Sequence, residues 1–158
     1  MDNYSFENIA TSTDRFKIYV FYCSAIDLDK GIKFIQSEGI NAINVGRELA
    51  TFIDSLDDYH YLNIEVFEYT KKLLDTYKSK IKGAGNDILA IYNLGILLEP
   101  TLELNAVQLL KEFSKSSALI IIWENESEIP DRLNWSTQEN NVYLDFSEVL
   151  LKKLQNEI

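Results

Sequence analysis

The chain has 158 residues, 46% of them hydrophobic and 12% aromatic, a size and composition that fit one globular domain burying roughly 70% of its unfolded surface. Acidic side chains outnumber basic ones 25 to 15, a net charge of -10, which opposes docking on a phosphodiester backbone and disfavours nucleic acid as a direct ligand. The longest apolar run, ALIIIW at 118–123, is far shorter than the roughly 20 residues that span a bilayer, while a single cysteine, Cys23, and a first segment, MDNYSFENIA, without a signal-peptide pattern set the expectation of a soluble cytoplasmic protein.

In chain order, KIYVFYC (17–23) is rich in β-branched and aromatic residues and predicts a buried first strand. A helix is expected directly after it, with Asp27 and Asp29 as candidate N-caps. INAINV (40–45) predicts a weaker strand. Asn63 is placed to cap a helix running to about Lys82, with Val66, Leu73, Leu74, Tyr77 and Ile81 on one stripe and Glu65 and Glu68 in the favourable first turn. Lys78, Lys80 and Lys82 suit the end of that helix, and GAG at 83–85 stops it.

DILAIYNL (87–94) and ALIIIW are nearly continuous apolar runs, the pattern of parallel strands covered on both faces. Between them, Asn105 followed by Gln108 resembles a capping box before AVQLLKEF, which directs Val107, Leu110 and Phe113 toward the sheet. Residues 124–141 are the least regular and predict a mobile loop. NVYLDF (141–146) predicts the last strand, and SEVLLKKLQNEI a terminal amphipathic helix capped by Ser147. The alternation predicts a single α/β domain over residues 1–158: a mainly parallel sheet of about five strands with helices on both faces.

The join after the first strand is where a phosphate-binding loop of the form G-x-x-x-x-G-K-[ST] would sit. With Lys30 on the motif lysine, Ser24 replaces the first glycine, Asp29 the second, and Gly31 stands at the hydroxyl position. Only the lysine survives, and Asp27 and Asp29 bring negative charge to a helix N-terminus where a polyanion would have to sit. An ordinary capped helix is the simpler reading.

The segments INAINVGRELA, DILAIYNLGILLEPTLELNAVQLLKEFSKSSALIIIWENE and RLNWSTQENNVYLDF, taken in order, resemble BrxF, the small P-loop protein of type 3 BREX phage-defence systems. LLEPTL after the third strand, SKS before the fourth and the tryptophan ending it carry the match best. The resemblance implies a RecA-like or AAA-like P-loop core, with a phosphate loop after the first strand, a Walker B acid ending the third and a polar residue near the fourth. At the implied Walker B positions this chain has Tyr92, Asn93 and Gly95, so no carboxylate stands ready for Mg²⁺ or for orienting water. Glu99 falls in the turn-forming EPTL.

With both motifs degraded, the expectation is a non-catalytic, pseudo-NTPase subunit of an antiviral defence assembly. It would act through other protein subunits, with no catalytic residue and no cofactor, ATP with Mg²⁺ being disfavoured. The alternatives are a nucleotide-binding ATPase or switch using Lys30 with a non-standard acid, and a small regulator that binds protein or DNA.

Other candidate sites have plainer readings. His60 beside Asp57 and Asp58 suits a solvated loop. Cys23 reads as a small core residue, because no partner base is identifiable. Glu124, Glu126 and Glu128 read as acidic surface, and no metal is expected. Lys71, Lys72, Lys78, Lys80 and Lys82 form the basic concentration of the chain, whereas residues 99–148 hold ten acids and three bases, a field that attracts a basic partner. Trp135, an aromatic in a polar stretch, is a candidate interface anchor.

Overall fold

A computed structural model of the chain describes residues 3–80, 85–124, 132–136, 141–147, 149, 151–154 and 156. In chain order the elements are β1 (Asn3–Tyr4), α1 (Phe6–Thr11), β2 (Ile18–Tyr22), α2 (Leu28–Ser37), β3 (Ala42–Asn44), α3 (Val45–Asp54), α4 (Leu62–Tyr77), β4 (Ser79–Lys80), β5 (Asp87–Tyr92), α5 (Ala106–Ser116), β6 (Ser117–Trp123), β7 (Arg132–Ser136), β8 (Asn141–Asp145) and β9 (Lys152–Leu154). Two short 3₁₀ turns, Gly95–Leu98 and Pro100–Leu102, follow β5.

The main sheet runs β1-β9-β2-β6-β5-β3 with every neighbouring pair parallel, and β4 adds antiparallel to the start of β5. The continuous apolar runs become its centre because both faces are covered. Ile18, Val20, Leu89, Ile91, Leu119, Ile121 and Trp123 face a core filled from α3, α4 and α5. The alternate residues Tyr19, Phe21, Ile88, Ala90, Ala118, Ile120 and Ile122 face α1 and α2.

This alternation fixes where a ligand crevice belongs. After β2 comes α2 on one face, whereas the next described elements after β6 are β7 and β8, whose Leu133 and Leu144 join the core on the opposite face. The carboxyl ends of β2 and β6, adjacent in the sheet, therefore form the topological switch point.

Several expectations need correction. The C-terminal segment is not a helix capped by Ser147: residues 152–154 form β9, inserted between β1 and β2. Leucines spaced for a helix face also serve a short strand, and pairing with the otherwise open edge of β2 decides the outcome. NVYLDF is β8, paired antiparallel with β7 in a separate two-stranded sheet and not the last strand of the main one. Residues 132–136 of the expected loop form β7, while 125–131 and 137–140 lie outside the described residues.

Helix α4 starts one residue before Asn63, with Tyr61 at its N-cap, and ends at Tyr77, five residues before Lys82. Lys80 belongs to β4, and Tyr77 is 45% exposed, off the expected stripe; Ile81, Lys82 and the first two residues of GAG lie outside the described residues. Helix α5 follows its capping signal: Asn105 Oδ1 accepts from the Gln108 N–H at 3.1 Å.

Two lysines are buried among the described residues, and the Lys17 ammonium donates to the Lys115 carbonyl at 2.8 Å. Lys152 is 9% exposed, lies over the rings of Tyr4 and Tyr19 at 5.4 and 5.3 Å, and pairs with Asp14. Asp14 is half solvent-exposed and its field is screened, so burial wins and holds the ammonium below its ordinary pKa. Among the described residues no helix is long and apolar enough to cross a membrane.

Candidate functional site

The switch point is built from the end of β2 and the turn that follows. The Cys23 N–H donates to the Trp123 carbonyl at 3.0 Å, locking the ends of β2 and β6 together. The Asn156 side chain donates to the Tyr22 carbonyl at 2.8 Å, bringing the C-terminal segment onto the same edge. Residues 24–27 then close on themselves. The Asp27 N–H donates to the Ser24 carbonyl at 3.0 Å and to Ser24 Oγ at 3.3 Å, and the Ser24 hydroxyl donates to Asp27 Oδ2 at 3.2 Å. The Leu28 N–H reaches the Ala25 carbonyl at 3.5 Å.

A phosphate loop works by leaving successive backbone N–H groups open toward the anion. In this turn the N–H groups of Asp27 and Leu28 already have intramolecular acceptors. Asp27 does occupy the N-cap of α2, as the sequence suggests, but its carboxylate makes no cap bond and holds Ser24 instead.

The positions aligned with the motif are each accounted for. Ser24 is used within the turn, and Asp29 lies in the first turn of α2. Lys30 is exposed and makes no hydrogen bond or ion pair among the described residues. Gly31 is buried because α2 approaches β2 closely: a Cβ there would stand 3.1 Å from Cys23 Sγ and 3.1 Å from the Phe21 ring. Packing against β2 thus accounts for the glycine where the motif carries a hydroxyl. At the tip of the turn Ile26 is 94% exposed.

The electrostatics at this edge are negative. Burial pushes the Cys23 thiol up from its ordinary pKa, and the carboxylates of Asp27 and Glu124 push it further in the same direction. An anion at this edge would meet the same two carboxylates. The thiol therefore serves as a probe: its titration, followed by ultraviolet thiolate absorbance, is expected to have its midpoint above 9.0, the ordinary value, and Asp27→Asn is expected to lower it. A midpoint that Asp27→Asn leaves unmoved would show that the negative field is absent.

The implied Walker B stretch is also filled by neutral groups with structural work. Tyr92 packs partly buried on the α1–α2 side, and Gly95 is buried at the start of a 3₁₀ turn. Asn93 adopts a left-handed conformation, φ 57°, which asparagine tolerates better than most residues. Its amide donates to Asn44 Oδ1 at 2.8 Å, and the same oxygen accepts from the Arg47 N–H at 2.9 Å to cap α3. Gly46 makes room for this bond; a Cβ there would come within 2.5 Å of Asn93 Nδ2 and 2.9 Å of its carbonyl oxygen.

Sequence reasoning missed this brace between the ends of β3 and β5. Asn44 at the start of a helix is a readable cap signal, but a partner 49 residues away is not.

The remaining candidates are dispersed. His60 Nδ1 lies 3.1 Å from Asp58 Oδ1 with both side chains largely exposed, an ordinary surface pair. Lys78 pairs with Asp75 at 3.3 Å, and Lys80 with Asp87 at 3.3 Å, so neither is a free cation awaiting a ligand; Lys82 lies outside the described residues. Trp135 sits in β7 opposite Val142, with its side chain outside the described residues, as are Glu126 and Glu128. Among the described residues no group of three or more histidine, cysteine or acidic side chains is gathered for a metal. No family model, no curated protein and no solved structure matches this chain.

Proposed function

We propose that the chain is a P-loop-like scaffold that has lost its nucleotide chemistry and acts by protein contact, as a non-catalytic subunit of an anti-phage defence assembly. The observation that carries the loss of chemistry is the turn over residues 24–27, closed on its own hydrogen bonds at the switch point and bordered by Asp27, Asp29 and Glu124. Support for the P-loop class comes from the order of the five central strands, β9-β2-β6-β5-β3. Numbered by their succession in the chain they stand 5-1-4-3-2, as in AAA-like cores, a fold-level analogy. The defence setting follows from the resemblance of the quoted segments to BrxF.

The experiment is a phosphate-release assay with ATP and GTP in the presence of Mg²⁺. The expected result is no turnover above buffer for the native chain, and no difference in Lys30→Ala. Mg²⁺-dependent turnover that Lys30→Ala abolishes would overturn the proposal. It would favour the second reading, a nucleotide switch, whose specific support is the exposed and unengaged ammonium of Lys30 among the described residues.

A further inference from the structure

The corner between α3 and α4, made of their connection and the first turn of α4, carries three exposed apolar side chains. Tyr59, Tyr61 and Ile64 are 58%, 67% and 58% exposed, within six positions of one another. Isolated exposed hydrophobics are ordinary, whereas three within six positions are a candidate contact surface. The corner is held in shape from below: the Phe52 ring of α3 stacks on the Tyr69 ring of α4 with centroids 4.1 Å apart and planes 6° from parallel. Within the connection the His60 N–H donates to Asp58 Oδ1 at 3.1 Å, and the Glu65 N–H donates to the Tyr61 carbonyl at 2.9 Å. Tyrosine anchors on an ordered base lose little conformational entropy when a partner covers them.

Charge decides what can cover them. Asp54, Asp57, Asp58, Glu65 and Glu68 are all exposed around the three apolar side chains, and no lysine or arginine occurs between Arg47 and Lys71. A nucleic acid, an anionic membrane or a second copy of a chain with net charge -10 would be repelled by this rim and by the field of the whole molecule. A basic partner is drawn by both.

We propose that the exposed corner formed by Tyr59, Tyr61 and Ile64, with its acidic rim, is a docking surface for a basic, amphipathic segment of a partner protein. The proposal rests on the protein-contact reading above and gives the partner's chemistry: apolar side chains to cover the anchors, flanked by lysine or arginine to meet the rim.

The test uses isotope-labelled full-length protein and a synthetic amphipathic helix of leucine and lysine, with its leucine–glutamate counterpart as control. Amide shifts are followed through the titration. The expected result is saturable binding of the basic peptide, weakened by added salt, with shifts centred on residues 54–68. The triple variant Tyr59→Ser, Tyr61→Ser, Ile64→Ser is expected to bind at least about tenfold more weakly, as loss of central anchors does, with an unchanged circular dichroism spectrum. Asp57→Asn combined with Asp58→Asn leaves the apolar anchors intact and is expected to reduce the salt dependence.

Shifts centred instead on the acidic stretch 99–148, equal binding of the leucine–glutamate peptide, or undiminished affinity in the triple variant would each overturn the proposal. So would self-association of the free protein that the triple variant abolishes, which would make a second copy the occupant. Phosphate release assayed on the same preparation separates the two readings. Turnover sinks the non-catalytic scaffold whatever the peptide does, and failure of the peptide without turnover sinks only this surface.

Discussion

Phe21→Ala is expected to lower the thermal midpoint by roughly 10 °C, since about 3–5 kcal/mol is lost when a buried phenylalanine is truncated and each kcal/mol is worth about 2–4 °C in a chain of this size. Phe21 has no solvent exposure, stacks on Phe34 of α2 with centroids 5.9 Å apart, and lies against Gly31. With Cys23, it is a side chain through which β2 packs on α2, next to the turn over residues 24–27. Truncation leaves a cavity that the central sheet, paired on both sides of β2, has little freedom to collapse. Urea unfolding monitored by circular dichroism measures the change. A loss below about 1.5 kcal/mol would mean that α2 settles into the space and that the grip is weaker than its burial implies.

Gly46→Val is expected to destabilise the protein by about 3 kcal/mol, at the upper end of what overpacking usually costs. The first added carbon already meets Asn93 at 2.5 Å on the amide and 2.9 Å on the backbone oxygen. Only the amide can swing away, and in doing so it gives up its bond to Asn44. The clash therefore divides into a side-chain part and a backbone part. Adding Asn93→Gly should recover the first, because glycine tolerates φ 57° and has no amide to displace. The second should persist. A double-mutant cycle on urea midpoints separates them, and a coupling energy near zero would contradict the contact.

How legible this molecule was depends on which physical signal each element carries. Strands β2, β5 and β6 were legible because a strand covered on both faces must be apolar at nearly every position, and the runs around Val20, Leu89 and Ile120 are. Helix α5 was legible from its cap, Asn105. Strand β9 was not. Its short leucine-bearing segment satisfies two periodicities, and the choice between them is made by the free edge of β2, far away in sequence. Strand β1 and helix α1, with two and six residues, are too short to show a period at all.

The candidate site divides in the same way. That Ser24, Asp29 and Gly31 depart from a phosphate loop is plain from residue identity. The bond between Ser24 and Asp27 is local, spanning three positions, and such a spacing is readable in sequence, whereas the hold of Phe21 and Cys23 on Gly31 emerges only once β2 and α2 are packed. The amide bond from Asn93 to Asn44 needs β3 beside β5 before it can exist. The exposed corner at Tyr59, Tyr61 and Ile64 was hidden for another reason: the sequence shows which residues are apolar, but only the placement of α3 against α4 decides which of them stay in water.

Calorimetric titration of the full chain with ATP, ADP and GTP, each with Mg²⁺, decides whether the turn after β2 holds nucleotide. A specific ligand at about 100 times its dissociation constant stabilises a fold by about 2.7 kcal/mol, so a parallel thermal scan registers the same event independently. Neither saturable heat nor a shifted midpoint is expected at millimolar nucleotide. Saturable binding that disappears in Lys30→Ala would contradict the proposed loss of nucleotide chemistry, because a phosphate would then sit on a turn whose Asp27 and Leu28 N–H groups already have acceptors and which carries Asp27 and Asp29.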